Sequence, residues 1–461
     1  FGKWHLGDSY PMRAIDQGFD EALVHRGGGL AQPADHPDND RRYTDAILYR
    51  NGKPEHTEGY CTDVYFENAI DFISRKTDNN EPFFTYIATN APHGPFHDVP
   101  ETLRKDYENE PLEDLFVPKV NERRLRGEKD KLGRIAAMIT NVDENVGRLF
   151  AFLERKNLIE NTLVIFLTDN GPNTARYVGQ FRGKKSDVLE GGIRTPLWLH
   201  WPSKLPAGAK RDTLAAHIDL MPTILDICEV DPPENVALDG RSLLPILLNA
   251  AAPWEERTLT IQTHRSTQPQ RYHNFMTRDD RWKLVHPSGF GKQRFEGEPN
   301  FELYDLQNDP GETSDLASSE PDILDRLKEI YDTWFDDVSS TRPDNYAPPL
   351  IQAGTPHENP TVLTRQDWIS EAWGPQANGH WNVDFRSEGE YDVLIRFYKE
   401  TTADRVTLHV GESTYDMAVP PKSRSITFEA IEIMESTHRI FADVHEDKTV
   451  TSPYQIEILR K

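Results

Sequence analysis

The sequence predicts an α/β fold followed by a small antiparallel β domain, and three observations carry that prediction. Three apolar runs of strand length, Phe1 to Leu6, Phe83 to Thr89 and Leu163 to Thr168, each carry or end in polar residues. Near-continuous apolar runs mark strands buried on both faces, as in parallel sheets. Helical periodicity fills the segments between them, and strands alternating with helices imply an α/β fold. Beyond the Pro-rich stretch Ser340 to Pro360 the pattern changes to short alternating segments, the signature of antiparallel strands.

Each element has its own reason. If Phe1 to Leu6 is extended, period-2 alternation puts Lys3 and His5 on one face and Trp4 on the other. An ammonium and an imidazole side by side suit an oxyanion, and they equally suit a solvated strand end. Tyr60 to Lys76 reads as a helix, with Val64, Ala69, Ile70 and Ile73 on one face and Thr62 as its cap. Phe83 to Thr89 delivers Asn90 and His93. Lys131 to Lys156 repeats Leu132, Ile135, Ile139, Val142, Val146, Leu149 and Leu153 at helical spacing. Leu163 to Thr168 delivers Asp169 and Asn170, two hard oxygen ligands suited to Ca²⁺ or Mg²⁺, in a T-D-N-G string that also spells a turn. Ligands of parallel α/β sheets bind at the carboxyl ends of the strands, where these polar residues fall.

Further on, Arg182, Lys184 and Lys185 form a basic loop before E-G-G and another apolar strand. By itself that is a solvated loop; beside a cation site it is a place for an anion. Ala215 to Cys228 reads as a helix entry with Asp219 as cap and His217 structural. The segments Tyr391 to Tyr398, Arg405 to Val410, Ser425 to Ile433 and Tyr454 to Arg460 read as the strands of the β domain. The boundary falls near Gly354, giving a catalytic domain over 1–345 and a β-sandwich-like domain over 346–461. His25 and Arg26 in H-R-G-G-G-L suit either a pocket loop touching a sugar or a plain flexible turn. Trp368, Trp373 and Trp381 suit either sugar stacking or core packing.

Composition narrows the function. The 461 residues allow two or three domains at roughly 150 residues each. A formal net charge of −24 argues against nucleic-acid binding, which needs a basic stripe, so an anionic substrate must meet a local basic pocket. No apolar run reaches the roughly 18 residues of a membrane helix. Cys61 and Cys228 match no zinc or C-x-x-C spacing and read as buried thiols.

Four strings occur in order: G-K-W-H-L-G at Gly2, A-P-H-G-P at Ala91, L-T-D-N-G at Leu167 and K-x(4)-E-G-G-I-R-T-P at Lys185. Together they resemble the formylglycine-dependent sulfatases, of arylsulfatase type, in the alkaline phosphatase superfamily. The stretch from Phe301 to Ala317 is similar to that family's C-terminal region, and the resemblance covers Phe1 to about Asp337. It implies an alkaline-phosphatase-like mixed or parallel sheet with helices on both faces. It also implies hydrolysis of sulfate esters, of a sulfated carbohydrate or an aryl sulfate, through a covalent sulfo-enzyme intermediate on a formylglycine. Carried over residue by residue, Lys3, His5, His93 and Lys185 become catalytic, Asp169 and Asn170 metal ligands for Ca²⁺ or Mg²⁺, and Arg182, His25 and Arg26 substrate contacts. His93 is the better general acid and His5 a base oriented by Lys3. The resemblance implies a periplasmic or secreted enzyme. One departure stands out: no C/S-x-P-x-R string, the site of formylglycine formation, occurs in this sequence. The expectation is that the chain begins inside the catalytic domain, downstream of its nucleophile, and is inactive as it stands. Two other readings are phosphate or phosphonate monoester hydrolysis on the same superfamily fold and a degenerate, glycan-binding homologue.

Overall fold

A computed structural model describes the chain apart from residues 31, 175, 264–267, 341–348, 371 and 373–376. The chain divides into two compact units: residues 1–112, 121–152 and 348–461, and residues 113–120 and 153–347.

In the first unit a four-stranded sheet runs in the order β1 (Gly2–Lys3), β2 (Leu23–His25), β3 (Ile47–Arg50) and β4 (Lys53–His56). β1 pairs with β2 in parallel, and the other pairs are antiparallel. On the far side of β1 the chain around Ala88 also runs parallel, with Lys3 N donating to Ala88 O at 2.7 Å and Ala88 N to Phe1 O at 2.9 Å. A Cβ on Gly2 would meet Ala88 O at 2.1 Å, so only glycine permits this approach. The six-residue strand expected from Phe1 stops at Lys3, and His5 sits at φ 59° in the left-handed region. The alternation that put Lys3 and His5 on one strand face therefore ends after Lys3, because the chain turns away from the sheet.

The two long helices form as their periodicity predicts. α1 (Cys61–Asp78) buries Val64, Ala69 and Ile73. Its N-cap is Tyr60, so Thr62 lies inside the first turn, fully buried, and does not cap it. After the short α2 (Glu101–Asp106), α3 (Glu122–Arg155) begins well before Lys131. Ala137 and Met138 of α3 join Leu23, Leu48, Val64 and Tyr65 in one core.

The second unit opens with β5 (Val164–Leu167), which leads to α4 (Glu190–Ile193) and β6 (Leu197–His200). β5 and β6 form a two-stranded antiparallel ribbon, in place of the doubly buried parallel strand expected at Leu163. Among the described residues no further strand pairs with it, and Phe166 and Trp198 are 38% and 60% exposed. α5 (Leu220–Ile227) follows Asp219, whose carboxylate accepts from Ala216 N, Arg241 N and the buried Arg257 guanidinium and not from the helix's own amides. His217 is exposed just before it. Cys228, at the end of α5, is exposed, whereas Cys61 is buried, and both are free thiols. The expectation of two buried thiols thus holds for Cys61 only, because α5 ends at the surface. After α6 (Leu244–Leu248) comes an antiparallel sheet of β7 (Leu259–Gln262), β8 (Phe275–Arg278), β9 (Trp282–His286) and β10 (Glu302–Asp305). α7 (Pro321–Ser340) packs on it through Leu327, Tyr331 and Phe335.

The C-terminal residues, in the first unit, build two sheets. One holds β11 (Ile351–Ala353), β13 (Trp381–Phe385), β15 (Arg405–Val410), β16 (Ser413–Ala418), β18 (Thr437–Glu446) and β19 (Thr449–Thr451). The other holds β12 (Thr361–Leu363), β14 (Gly389–Arg396), β17 (Ser425–Ile433) and β20 (Gln455–Arg460). Their inward residues, such as Val383 and Leu408 against Val393 and Ile456, share one core, which makes a β sandwich. All four strands expected here are present. Trp381 is fully buried, with Nε1 donating to Thr364 O at 2.7 Å, and Trp368 packs against it, so these two tryptophans serve the core; Trp373 lies outside the described residues.

Candidate active site

In the first unit the site is built where β1 and β2 end side by side, with Lys3 opposite His25 in the parallel register. His25 is 1% exposed, and one tautomer satisfies its ring. Its Nδ1 donates to Arg26 O at 2.8 Å, and its Nε2 accepts from Asn90 Nδ2 at 2.7 Å. Asn90 Oδ1 in turn accepts from the Tyr65 hydroxyl at 3.0 Å. Burial, with smaller contributions from the charges of Lys3, His5 and His93, pushes His25 down to about 4, so it is neutral near pH 7. Arg26 is 7% exposed and lies over the Tyr49 ring at 4.1 Å, beside Asp8 and Glu358. The two residues that the sequence offers to a sugar are thus buried.

The groups facing outward are His5 and His93, both exposed, with Lys3 half-buried between strand and solvent. The loop Gly27–Gly29 lies against both imidazoles. A Cβ on Gly28 would stand 2.6 Å from the His5 ring, and one on Gly29 would stand 3.7 Å from His93 Nδ1. Here glycine serves close approach. His93 Nδ1 lies 2.7 Å from Gly94 O. A carbonyl only accepts, so Nδ1 carries the proton of the neutral ring and Nε2 is the nitrogen that gains the second one.

In the second unit, backbone bonds bring three sequence strings together. Gly171 N donates to Gly192 O at 2.9 Å, Lys185 N to Pro172 O at 2.8 Å, and Gly191 N to Arg182 O at 2.7 Å. A Cβ on Gly171 would meet Gly191 O at 1.9 Å, which explains the glycine after Asp169 and Asn170. Asp169, Asn170, Arg182 and Lys185 are therefore carried by one clamped set of turns. Arg182 Nη2 donates to the Tyr304 hydroxyl at 2.9 Å and lies 3.8 Å from Glu302. Asn170 Nδ2 donates to Asp169 Oδ1 at 2.7 Å. The three side-chain oxygens of these two residues fall short of the six to eight that Ca²⁺ takes, and among the described residues no group of three or more His, Cys, Asp or Glu could hold a metal. Asp169 and Asn170 do not by themselves make a metal site.

Sequence reasoning missed what holds these turns. Glu190, 2% exposed, has its N–H on Glu312 Oε2 at 2.7 Å and its carboxylate on Lys283 Nζ at 3.0 Å and Arg278 Nη1 at 3.1 Å. Lys283, fully buried on β9, also lies 2.8 Å from the buried Glu312. Burial pushes the Glu190 carboxyl up, but Lys283 and Arg278 outweigh it and hold it below the usual range. Glu312, with fewer cations, is held above it by burial. A lysine within the apolar run W-K-L-V-H is the signal that could have pointed here.

The family profile described as sulfatase matches residues 1–230, and the profile for the C-terminal region of N-sulphoglucosamine sulphohydrolase matches residues 182–332. N-acetylgalactosamine-6-sulfatase of Sus scrofa is 27% identical over 362 residues, covering 71% of this chain and 63% of that protein. N-acetylgalactosamine-6-O-sulfatase of Bacteroides thetaiotaomicron is 26% identical over 294 residues, covering 58% of this chain and 51% of that protein. The chain thus spans less than two thirds of the length of these relatives. Among solved structures, Ps i-CgsB superposes with a TM-score of 0.58 at 26% identity, over 72% of this chain and 70% of that one. The sulfatase yidJ from Bacteroides fragilis shares the fold, with a TM-score of 0.55 at 20% identity over 70% of this chain and 67% of that one. Two profiles that run through residues 1–332 and four ordered strings lead to one conclusion: the chain belongs to the sulfatase family of the alkaline phosphatase superfamily.

Proposed function

We propose that this chain carries sulfate-binding and proton-transfer residues of a sulfuric ester hydrolase acting on a sulfated carbohydrate. The observation that carries the reading is the His93 imidazole, exposed beside the buried, neutral His25 and with Nδ1 fixed on Gly94 O. Negative charge grows on the bridging oxygen as a sulfate ester's S–O bond breaks. An imidazolium at that oxygen donates its Nε2 proton to the leaving alcohol, and ammonium groups offset the charge of the sulfate. Lys185 takes the latter role, and Lys3 orients His5 as the base of the return step. Arg182, engaged with Tyr304, offers a second positive charge to the substrate. A formylglycine, when present, supplies the nucleophile. Ca²⁺ or Mg²⁺ belongs to the same proposal, with Asp169 and Asn170 as two of its ligands, as does a periplasmic or secreted location.

Two relatives named as N-acetylgalactosamine-6-sulfatases, and a 26% identical structure solved with k-i-k-neocarrahexaose, support a sulfated carbohydrate over a simple aryl sulfate as natural substrate. The domain over 346–461 is proposed to be carbohydrate-associated. The test expresses the gene extended upstream of the Phe1 codon and assays sulfate release from 6-sulfated N-acetylgalactosamine and from nitrocatechol sulfate. His93→Ala and Lys185→Ala should each lose about two orders of magnitude or more in kcat/KM, and His217→Ala should change little. Phosphate-monoester hydrolysis without sulfate release would replace this reading with the phosphatase one.

A further inference from the structure

The β sandwich reaches the candidate site through one buried carboxylate. Asp8, 8% exposed, accepts from Gly27 N with both oxygens, at 2.9 and 3.0 Å. Its Oδ2 also accepts from the Thr364 hydroxyl at 2.7 Å, and its own N–H donates to Asp367 Oδ2 at 2.8 Å. Thr364 and Asp367 follow β12, more than 350 positions away in the chain. Gln366 N closes the same turn on Thr364 Oγ1 at 3.2 Å. Arg26 balances this acidic cluster, and Glu358, which accepts from Tyr10 N at 2.8 Å, stands beside it with Arg13 at 3.5 Å. Gly27 lies at φ +64°, and a Cβ there would meet Ala34 Cβ at 2.8 Å. A residue so confined passes any displacement to its neighbours, and those neighbours, Gly28 and Gly29, are the ones whose Cα positions face His5 and His93.

We propose that Asp8, clasped by Thr364 and Asp367 of the β sandwich, is a positioning residue that sets the Gly27–Gly29 loop against the imidazoles of His5 and His93. The sandwich is then a working part of the site. The inference rests on the catalytic reading of those two histidines, but its test reads their rings directly, so failure of sulfate-ester hydrolysis would leave it standing.

The experiment is histidine-selective ¹⁵N NMR of the intact chain, titrated with pH. Thr364→Val removes the hydroxyl at nearly constant volume, and because that hydroxyl also helps keep Asp8 ionised, a moved loop is read from loss of the Gly28 Hα to His5 ring NOE together with the ring shifts. The variant should displace both ring signals and change both titration midpoints by about 0.3 pH unit or more, with His409 and His438 on the sandwich unchanged. Thr364→Ser should restore the wild-type signals. Asp8→Asn keeps the shape but leaves one acceptor for Gly27 N; because it also removes a charge, it carries the test, if Thr364→Val does not fold, through the Gly28 Hα to His5 ring NOE, which should weaken, and an unchanged NOE would overturn the proposal. Rings of His5 and His93 that stay at their wild-type positions in a folded variant would overturn the proposal. So would a Ser variant that behaves like Val, or a uniform shift of all histidines, which would signal general loosening.

Discussion

Replacing Asp367 by Asn should change how the stability of this protein depends on pH. Burial, and next the negative charge of Asp8, push the Asp367 carboxyl up from 3.8 to about 7, and burial raises Asp8 as well. Between those values the native chain holds a proton that the unfolded chain has released. Stability therefore falls as pH rises from about 4 to about 7 and levels off above. At about 1.4 kcal/mol per pH unit the full span corresponds to about 4 kcal/mol, an upper bound that belongs to the Asp8–Asp367 pair jointly. Asn keeps an acceptor oxygen for Asp8 N, which is bonded at 2.8 Å, but cannot ionise. Urea unfolding at constant ionic strength, run at pH 4.5, 6 and 8, gives the comparison. The variant should gain on the wild type as pH rises, by about 2 to 4 kcal/mol over the series. Parallel profiles, with Asn equally worse at every pH, would refute the argument and reduce Asp367 to a simple hydrogen-bond acceptor.

Three further outcomes are expected. Lys283→Met strips the buried Glu312 of its cation and should cost about 3 to 5 kcal/mol, read by thermal or chemical unfolding. Adding Glu312→Gln should recover part of that loss, because the remaining Glu190 keeps Arg278. His25 should stay neutral in NMR titrations until pH falls to about 4, and since the unfolded ring takes up its proton near 6.5, stability on its account is lost as pH drops through that interval. A thiol reagent should label about one cysteine in the native protein, Cys228, and reach Cys61 only on unfolding, because burial both shields the Cys61 thiol and pushes its ionisation up.

What could be read from sequence followed the range of the interactions involved. Helices α1 and α3 and strands β14, β15, β17 and β20 announce themselves because apolar spacing within ten or twenty residues determines which face is buried. The run at Phe1 misled because two strand residues and a left-handed His5 look, in letters, like six alternating ones. At His25 the following glycines suggested a pocket loop, whereas β2 carries that ring into the core and the glycines serve its neighbours His5 and His93. Asp8 gave no local sign, since its partners Thr364 and Asp367 lie 356 and 359 residues away. The catalytic assignments came from four ordered strings, not from periodicity, and the structure adds the supports behind them: Tyr65 and Asn90 under His25, and Lys283 and Glu312 under Glu190.

The β5–β6 ribbon has a colloidal consequence. Phe166 and Trp198 pack at a tilt, 5.5 Å between ring centres, on a ribbon where Leu167 and Leu197 are also exposed, which makes an adhesive apolar surface. At neutral pH the net charge of −24 makes copies of the molecule repel one another before such surfaces meet. That protection weakens as pH approaches the isoelectric point of about 5.1, and added salt shortens its reach to roughly 3 Å at 1 M. Light scattering should therefore show self-association that rises with salt and with acid, and a Trp198→Lys, Phe166→Ser variant should stay monodisperse under both.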